Sequence, residues 1–287
     1  MTRRSIETVV VVGAGTMGHG IAQVAAMAGY SVRLQDEVKA ALEGAQTRIA
    51  ENLAKGVEKG KVTPEQKEKA LAGIVFHEDL QKAALGADMA IEAIVEDIHD
   101  KQILAELLER YLEPDAIIAS NTSSLSIAEI GSMIVHPERV VGMHFFNPVH
   151  ILPLVEVVTH AAASTDVVEA TVEVARRMGK EPIVVKDSPG FASTRLGIAL
   201  GLEAMRMVEE GVASAEDIDR AMVLGYGHPM GPLRTSDLVG LDVRLKIAES
   251  LHAALRQPHF APPGILQEKV KKGELGKKTG QGFYSWE

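Results

Sequence analysis

Residues 8–36 read TVVVVGAGTMGHGIAQVAAMAGYSVRLQD, and this stretch decides the fold. A run of valines over 9–12 enters the turn Gly13-Ala14-Gly15-Thr16-Met17-Gly18. A helical pattern follows, then a second short apolar strand that ends at Asp36. Strand, glycine turn, helix, strand and acid, in that order, form the dinucleotide-binding fingerprint in its expected context. Gly13 allows the tight turn, Gly15 lets the backbone approach a pyrophosphate, and Gly18 lets the helix pack on the strand. Thr16 and Met17 lie at the helix start, where free N–H groups and the positive dipole end receive phosphates. A carboxylate at Asp36 accepts from ribose hydroxyls and repels the extra phosphate of NADP, so the expected cofactor is NAD. Arg33, just upstream, leaves NADP open, and a turn or cap acid is the alternative reading of Asp36.

The chain has 287 residues, enough for one large domain or two modest ones. It has no cysteine, which removes disulfides, thiolate nucleophiles and cysteine metal sites together. The ten histidines show no HxxxH or HExxH spacing, so no metal is expected. A formal charge of −9 gives no sign of a nucleic-acid partner. The N-terminal MTRRSIE lacks an apolar signal core, and no long uncharged apolar run suggests a membrane span. A cytoplasmic protein is the expectation.

Beyond Asp36 the pattern predicts a helix over 38–58 and a charged segment with Lys55, Lys59 and Lys61. Thr63-Pro64-Glu65-Gln66 then reads as a capping box opening another helix. The lysines are a solvated helical hairpin or a patch for an anionic substrate. Short strands are predicted at 74–76, 89–93, 116–119, 140–143, 154–158 and 182–186, with helices over 100–111 and 165–179 between them. Glu92 and Glu96 flank the end of the 89–93 strand, where open α/β sheets place ligands. The polar run over 120–124 follows another strand end. Glu156 lies inside an apolar strand, which is costly unless the acid is paired, and His144 is the nearby partner. A surface-facing glutamate on an edge strand is the alternative.

After residue 186 the pattern turns helical, over 192–210, 215–222 and 236–255. The fold class is therefore α/β: a Rossmann-type dinucleotide-binding domain over 1–186, followed by a smaller all-helical domain over 187–287.

These residues carry a resemblance that runs along the whole chain. GAGTMGHGIAQ at 13–23, EAIVED at 92–97, SNTSSL at 120–125, GMHFFNPV at 142–149, DSPGF at 187–191, GYGHPMGP at 225–232 and GKKTGQGFY at 276–284 resemble the L-3-hydroxyacyl-CoA dehydrogenase family, especially its bacterial 3-hydroxybutyryl-CoA branch. The resemblance implies reversible NAD-dependent oxidation of a (3S)-3-hydroxyacyl-CoA to the 3-oxoacyl-CoA. It makes His144 the general base, Glu156 its partner carboxylate and Ser123 a hydroxyl that bonds the reacting oxygen and lies near the nicotinamide. Asn147 is placed beside the base, in contact with substrate. Glu96, Lys101 and Lys278 become cofactor contacts. Lys55 and Lys59 become candidates for coenzyme A phosphates, which favours the patch reading of the hairpin.

One position departs from the family pattern. Thr194 stands in PGFASTR where many relatives carry asparagine, so a shorter hydroxyl donor replaces an amide. The helical domain carries more apolar surface than one layer needs, and the family pairs through it, so a homodimer is expected. Two other readings remain: another hydroxy-acid substrate on the same scaffold, or a silent NAD-binding structural protein.

Overall fold

The computed structural model describes residues 5–286 and divides into two compact units that meet between Ser188 and Pro189. The first unit is built on one eight-stranded sheet. Its strands are β1 (Thr8–Val12), β2 (Ser31–Gln35), β3 (Ile74–His77), β4 (Met89–Glu92), β5 (Ile117–Ser120), β6 (Val140–Phe145), β7 (Leu154–Thr159) and β8 (Glu181–Lys186). The spatial order is β3-β2-β1-β4-β5-β6-β7-β8. All neighbours are parallel except β6 and β7. The order reverses between β1 and β4, and that switch point opens a crevice at the carboxyl ends of the strands.

Helices α1 (Gly18–Met27), α2 (Lys39–Glu58), α3 (Pro64–Ala72), α4 (Leu80–Ala84), α5 (Ile98–Tyr111), α6 (Ile127–Ile130) and α7 (Thr165–Arg177) connect the strands. Because helices cover both faces, β1 is buried on both sides, and Val9, Val10, Val11 and Val12 are each at most 3% exposed. That is why the valine run shows no alternation.

The glycine turn is sterically forced. Gly13 has φ +97°, and a Cβ there would lie 2.6 Å from the carbonyl oxygen of Ala93. A Cβ on Gly18 would lie 1.7 Å from the carbonyl oxygen of Gly13. Gly15 differs, since a Cβ there meets nothing within 4 Å. It is exposed, so a side chain there would not disturb the fold.

The predicted capping box forms at α3: Thr63 Oγ1 accepts from the Gln66 amide at 3.2 Å, and Gln66 Oε1 accepts from the Thr63 amide at 2.8 Å. Several boundaries differ from expectation. The strand expected at 140–143 continues to Phe145, which puts His144 inside β6 rather than after it. Helix α5 starts at Ile98, because Asp97 caps it by accepting from the amides of His99 and Asp100. The short helices α4 and α6 had too few turns to show a helical period.

The second unit packs α8 (Ser193–Glu209), α9 (Ala215–Tyr226), α10 (Pro232–Val239), α11 (Leu241–Leu255) and α12 (Gly264–Lys271) around its own core of Ile198, Leu202, Met205, Leu233, Leu251 and Phe260. The single helix expected over 236–255 is two helices. Gly240, at φ +105°, breaks the run, and Pro232 starts α10 at a position where its missing N–H is harmless. The C-terminal tail is anchored by Asp237, which is fully buried. Its carboxylate accepts from the amides of Phe283 and Tyr284 and from Trp286 Nε1, each at 2.9 Å.

Candidate active site

The crevice beside β1 is a cavity of about 350 Å³ lined by Gly13, Asp36, Val38, Ile94 and Val95 among others. Asp36 sits just past β2, and both of its oxygens are in use. Oδ2 accepts from the Ala14 amide at 2.8 Å and Oδ1 from the Val38 amide at 2.9 Å. The acid thus braces the glycine turn, as the cap reading held, while each oxygen keeps a lone pair for a ribose hydroxyl. Arg33 is tied away: its Nη1 donates to the carbonyls of Ala83 and Leu85. The open face at Gly15, the start of α1 and the acid after β2 fit a dinucleotide.

A second cluster forms where β4 and β5 end. Glu96 Oε1 accepts from Thr122 Oγ1 (2.6 Å), the Ser123 amide (2.9 Å), Ser123 Oγ (3.2 Å) and Ser124 Oγ (3.2 Å). Burial pushes the Glu96 carboxyl up, but bonds from Thr122, Ser123 and Ser124 and the Lys101 charge outweigh it and hold the group below its ordinary value. Behind it, Lys101 is 1% exposed. Its ammonium lies 2.8 Å from both oxygens of Glu92 and 3.5 Å from Glu96. Ser120 Oγ donates to Glu92 as well. Lys101 is therefore held by two carboxylates.

The third cluster spans β6 and β7. Their antiparallel register pairs His144 directly with Glu156. His144 Nδ1 lies 2.8 Å from Glu156 Oε2, with His144 6% exposed and Glu156 fully buried. This removes the surface-glutamate alternative, since β7 has a neighbour on each side. The bond fixes Nδ1 as the ring nitrogen that faces the carboxylate. The Phe146 ring packs against the imidazole, its centroid 4.4 Å away. Asn147 follows in an exposed turn joined to Pro148 by a cis peptide bond.

Other expected residues lie elsewhere. Lys55 and Lys59 are exposed at the C-terminal end of α2. Partial burial depresses the neighbouring His150, and the charges of His19, Lys180 and Lys55 add to the effect, so this corner of the unit is basic. Thr194 is in the first turn of α8 and Lys278 in the tail, both in the second unit. Lys278 Nζ bonds both oxygens of Asp242 at 2.6 Å.

Two supporting residues, Asn121 and Asp187, escaped the sequence reading, and Glu92, already placed at a strand end, gained a role. Asn121 Oδ1 accepts from the Phe145 amide at 2.9 Å, tying the Ser123 loop to the histidine strand. Asp187 accepts from Ser126 Oγ (2.7 Å) and the Ala128 amide (2.8 Å), anchoring the other end of that loop. Glu92 holds Lys101. An acid inside the apolar strand MAIE was its visible signal, the same signal that singled out Glu156.

Residues 8–188 match the family described as "3-hydroxyacyl-CoA dehydrogenase, NAD binding domain", and residues 190–286 match "3-hydroxyacyl-CoA dehydrogenase, C-terminal domain". The chain belongs to the 3-hydroxyacyl-CoA dehydrogenase family. It is an NAD-dependent oxidoreductase of that family, and its glycine-turn unit is the NAD-binding domain. A 3-hydroxybutyryl-CoA dehydrogenase of Mycobacterium tuberculosis is 43% identical over 289 residues, covering 98% of this chain and 99% of that one. A probable 3-hydroxybutyryl-CoA dehydrogenase of Bacillus subtilis is 44% identical, covering 98% of each. The crystal structure of M. tuberculosis FadB2 superposes with a TM-score of 0.93 at 42% identity, covering 99% of this chain and all of that one. Among the described residues no helix is long and apolar enough to cross a membrane, and no group of three or more His, Asp or Glu could hold a metal ion.

Proposed function

We propose that the chain oxidises short (3S)-3-hydroxyacyl-CoA esters, 3-hydroxybutyryl-CoA among them, to 3-oxoacyl-CoA, and that the reaction is reversible. Bound NAD supplies the acceptor for the hydride that leaves C3. The protein's part is to move the hydroxyl proton. His144 Nε2 takes it as the C–O bond gains double-bond character. Glu156, on Nδ1, holds the tautomer that leaves Nε2 basic and stabilises the imidazolium that forms. Ser123 Oγ bonds the same oxygen, and the Glu96 carboxylate holds the serine loop in place. Asn147 and Thr194 contact the substrate. Glu96 and Lys278 face the cofactor. Lys55 and Lys59, in the basic corner, meet coenzyme A phosphates.

The observation that carries this reading is the 2.8 Å His144–Glu156 bond with the carboxylate fully buried. Burying a carboxylate against an imidazole is costly without a use for the charge pair. It also weighs against a silent structural protein. We assign residues 1–186 to NAD binding and proton transfer, and 187–287 to substrate contact and homodimerisation in a cytoplasmic enzyme. NADH formation from NAD and 3-hydroxybutyryl-CoA tests the activity. His144→Gln should abolish turnover while NAD still binds; retained turnover in that variant removes His144 as base.

A further inference from the structure

The glycine turn carries two basic side chains that the reaction above does not use. Arg48, on α2, donates from Nη2 to the carbonyl of Ala14 at 3.1 Å. His19, in the first turn of α1, has its Nδ1 2.8 Å from the carbonyl of Gly15. Two consecutive carbonyls of the turn are therefore each met by a basic group. A carbonyl only accepts, so Nδ1 carries the ring hydrogen, and a proton added at Nε2 makes the imidazole a cation. Arg48 is exposed and His19 half-buried. Among the described residues Arg48 has no ion pair with a carboxylate. One carbonyl occupies one N–H of the guanidinium and leaves its other donors and its charge uncommitted.

The packing around both side chains holds them at the turn. A Cβ on Gly44 would lie 3.1 Å from Arg48 Nη1. The guanidinium thus folds back over the preceding turn of α2, and the missing side chain at Gly44 gives it room. Glycine inside a helix is destabilising relative to alanine, so the helix itself gains nothing from that residue. On α1, a Cβ on Gly20 would lie 2.9 Å from Val149 Cβ, so the helix meets the loop after β6 beside His19 and His150. Burial lowers His19 most, the Gly15 carbonyl raises it, and the Arg48 charge lowers it further. His150 in turn feels His19, Lys180 and Lys55. Between Arg48 and Lys55 on α2, Asn52 Nδ2 donates to Gln23 Oε1 of α1 at 3.3 Å. A run of basic groups therefore leads from the glycine turn along α1 and α2 to Lys55.

We propose that Arg48 and His19 form a clamp for a nucleotide pyrophosphate lying along the glycine turn. NAD and coenzyme A both carry that group, and the inference rests on the reading above that the chain binds them. The N–H groups at the start of α1 offer a phosphate partial charges. A guanidinium and an imidazolium add full charges and charge-assisted bonds to phosphate oxygens. In the free protein the two cations repel each other, and an anion between them relieves that repulsion.

The test measures Kd for NAD and for coenzyme A by calorimetry in the wild type, Arg48→Met, Arg48→Lys and His19→Asn, with Tm alongside. Arg48→Met should weaken a ligand by roughly tenfold or more, the range for a lost charged hydrogen bond. A loss on NAD alone assigns the clamp to the cofactor, a loss on coenzyme A alone assigns it to the acyl carrier, and losses on both place it in reach of each. Arg48→Lys keeps the charge and should recover most of the affinity. Tm should stay near wild type, because the side chain is exposed. For the weakened ligand, wild-type affinity should rise as pH falls below 6.5, the ordinary imidazole value, since a bound anion favours the protonated ring. His19→Asn should lose that rise; a rise that persists removes His19 and overturns the pairing. Unchanged affinities in Arg48→Met, or a loss accompanied by a lowered Tm, overturn the clamp and leave Arg48 a brace of the turn. A wild type that binds neither ligand overturns the reading above together with the clamp, whereas a wild type that binds both while the variants match it overturns the clamp alone.

Discussion

His144 and Glu156 face each other across an antiparallel pair of strands, joined by a 2.8 Å bond from Nδ1 to Oε2. Two strand backbones set the distance, so the base is held without reliance on loop order. The pair differs from a surface ion pair in that the carboxylate has no water to fall back on. Glu156→Gln keeps the shape but offers the ring an amide and removes the charge that offsets imidazolium. We expect kcat to fall by roughly 10³–10⁴-fold, the scale seen when the orienting acid of a histidine base is neutralised. NAD affinity, measured by fluorescence titration, should stay near wild type. An unchanged kcat would remove Glu156 from proton transfer.

Lys101 should behave as the keystone of a buried triad. Lys101→Met strands Glu92, which is 3% exposed, and should lower stability by about 3–5 kcal/mol, the penalty for breaking a buried pair from one side. The double variant Lys101→Met with Glu92→Gln removes both charges and should recover most of that loss. Chemical denaturation of the three proteins measures it. If the double variant is no more stable than the single one, the two charges are not coupled.

Glu96 makes a pH prediction whose sign follows from its depressed value. The folded carboxyl binds its proton less readily than the unfolded one, so its stabilising effect is complete above the unfolded value. That effect is lost as pH falls through the folded value. Starting from an ordinary value of 4.5, the stability difference between wild type and Glu96→Gln should be constant near neutrality and shrink below about pH 4.5. Tm measured against pH for both proteins checks this. The group is 39% exposed on its side chain, so the effect will be modest. A difference that grows on acidification would reverse the assignment.

Two glycines of the turn, Gly15 and Gly18, should separate folding from binding. Gly18→Ala drives a Cβ into the Gly13 carbonyl and should cost several kcal/mol of stability. Gly15→Ala meets open space, so its Tm should match wild type within a degree or two, while its Kd for NAD rises about tenfold or more. Thermal unfolding and NAD titration of the two variants give the comparison. Equal effects on both quantities in Gly15→Ala would place the glycine in the fold rather than at the ligand.

The dinucleotide half of the site was legible in sequence because its signals are local. Gly13, Gly15, Gly18 and Asp36 act on backbone within one strand-turn-helix-strand unit, and sequence neighbours decide their geometry. The capping box at Thr63 was legible for the same reason. The helix break at Gly240 was not, because one glycine inside a long apolar pattern reads as tolerated until the chain on either side packs in different directions.

Residue identity by itself determined that an α/β nucleotide domain precedes a helical one, that an acid within an apolar strand needs a partner, and that His144 is chemically suited to be that partner. Tertiary structure alone decided the pairings. The β6–β7 register put Glu156 opposite His144, although nothing in their twelve-residue separation specifies antiparallel strands. Lys101 was read as a cofactor contact near the start of an amphipathic helix; the meeting of β4, β5 and α5 made it a buried counter-ion of Glu92. Burial and charge compensation depend on which distant segments meet, and a linear pattern carries that information only weakly.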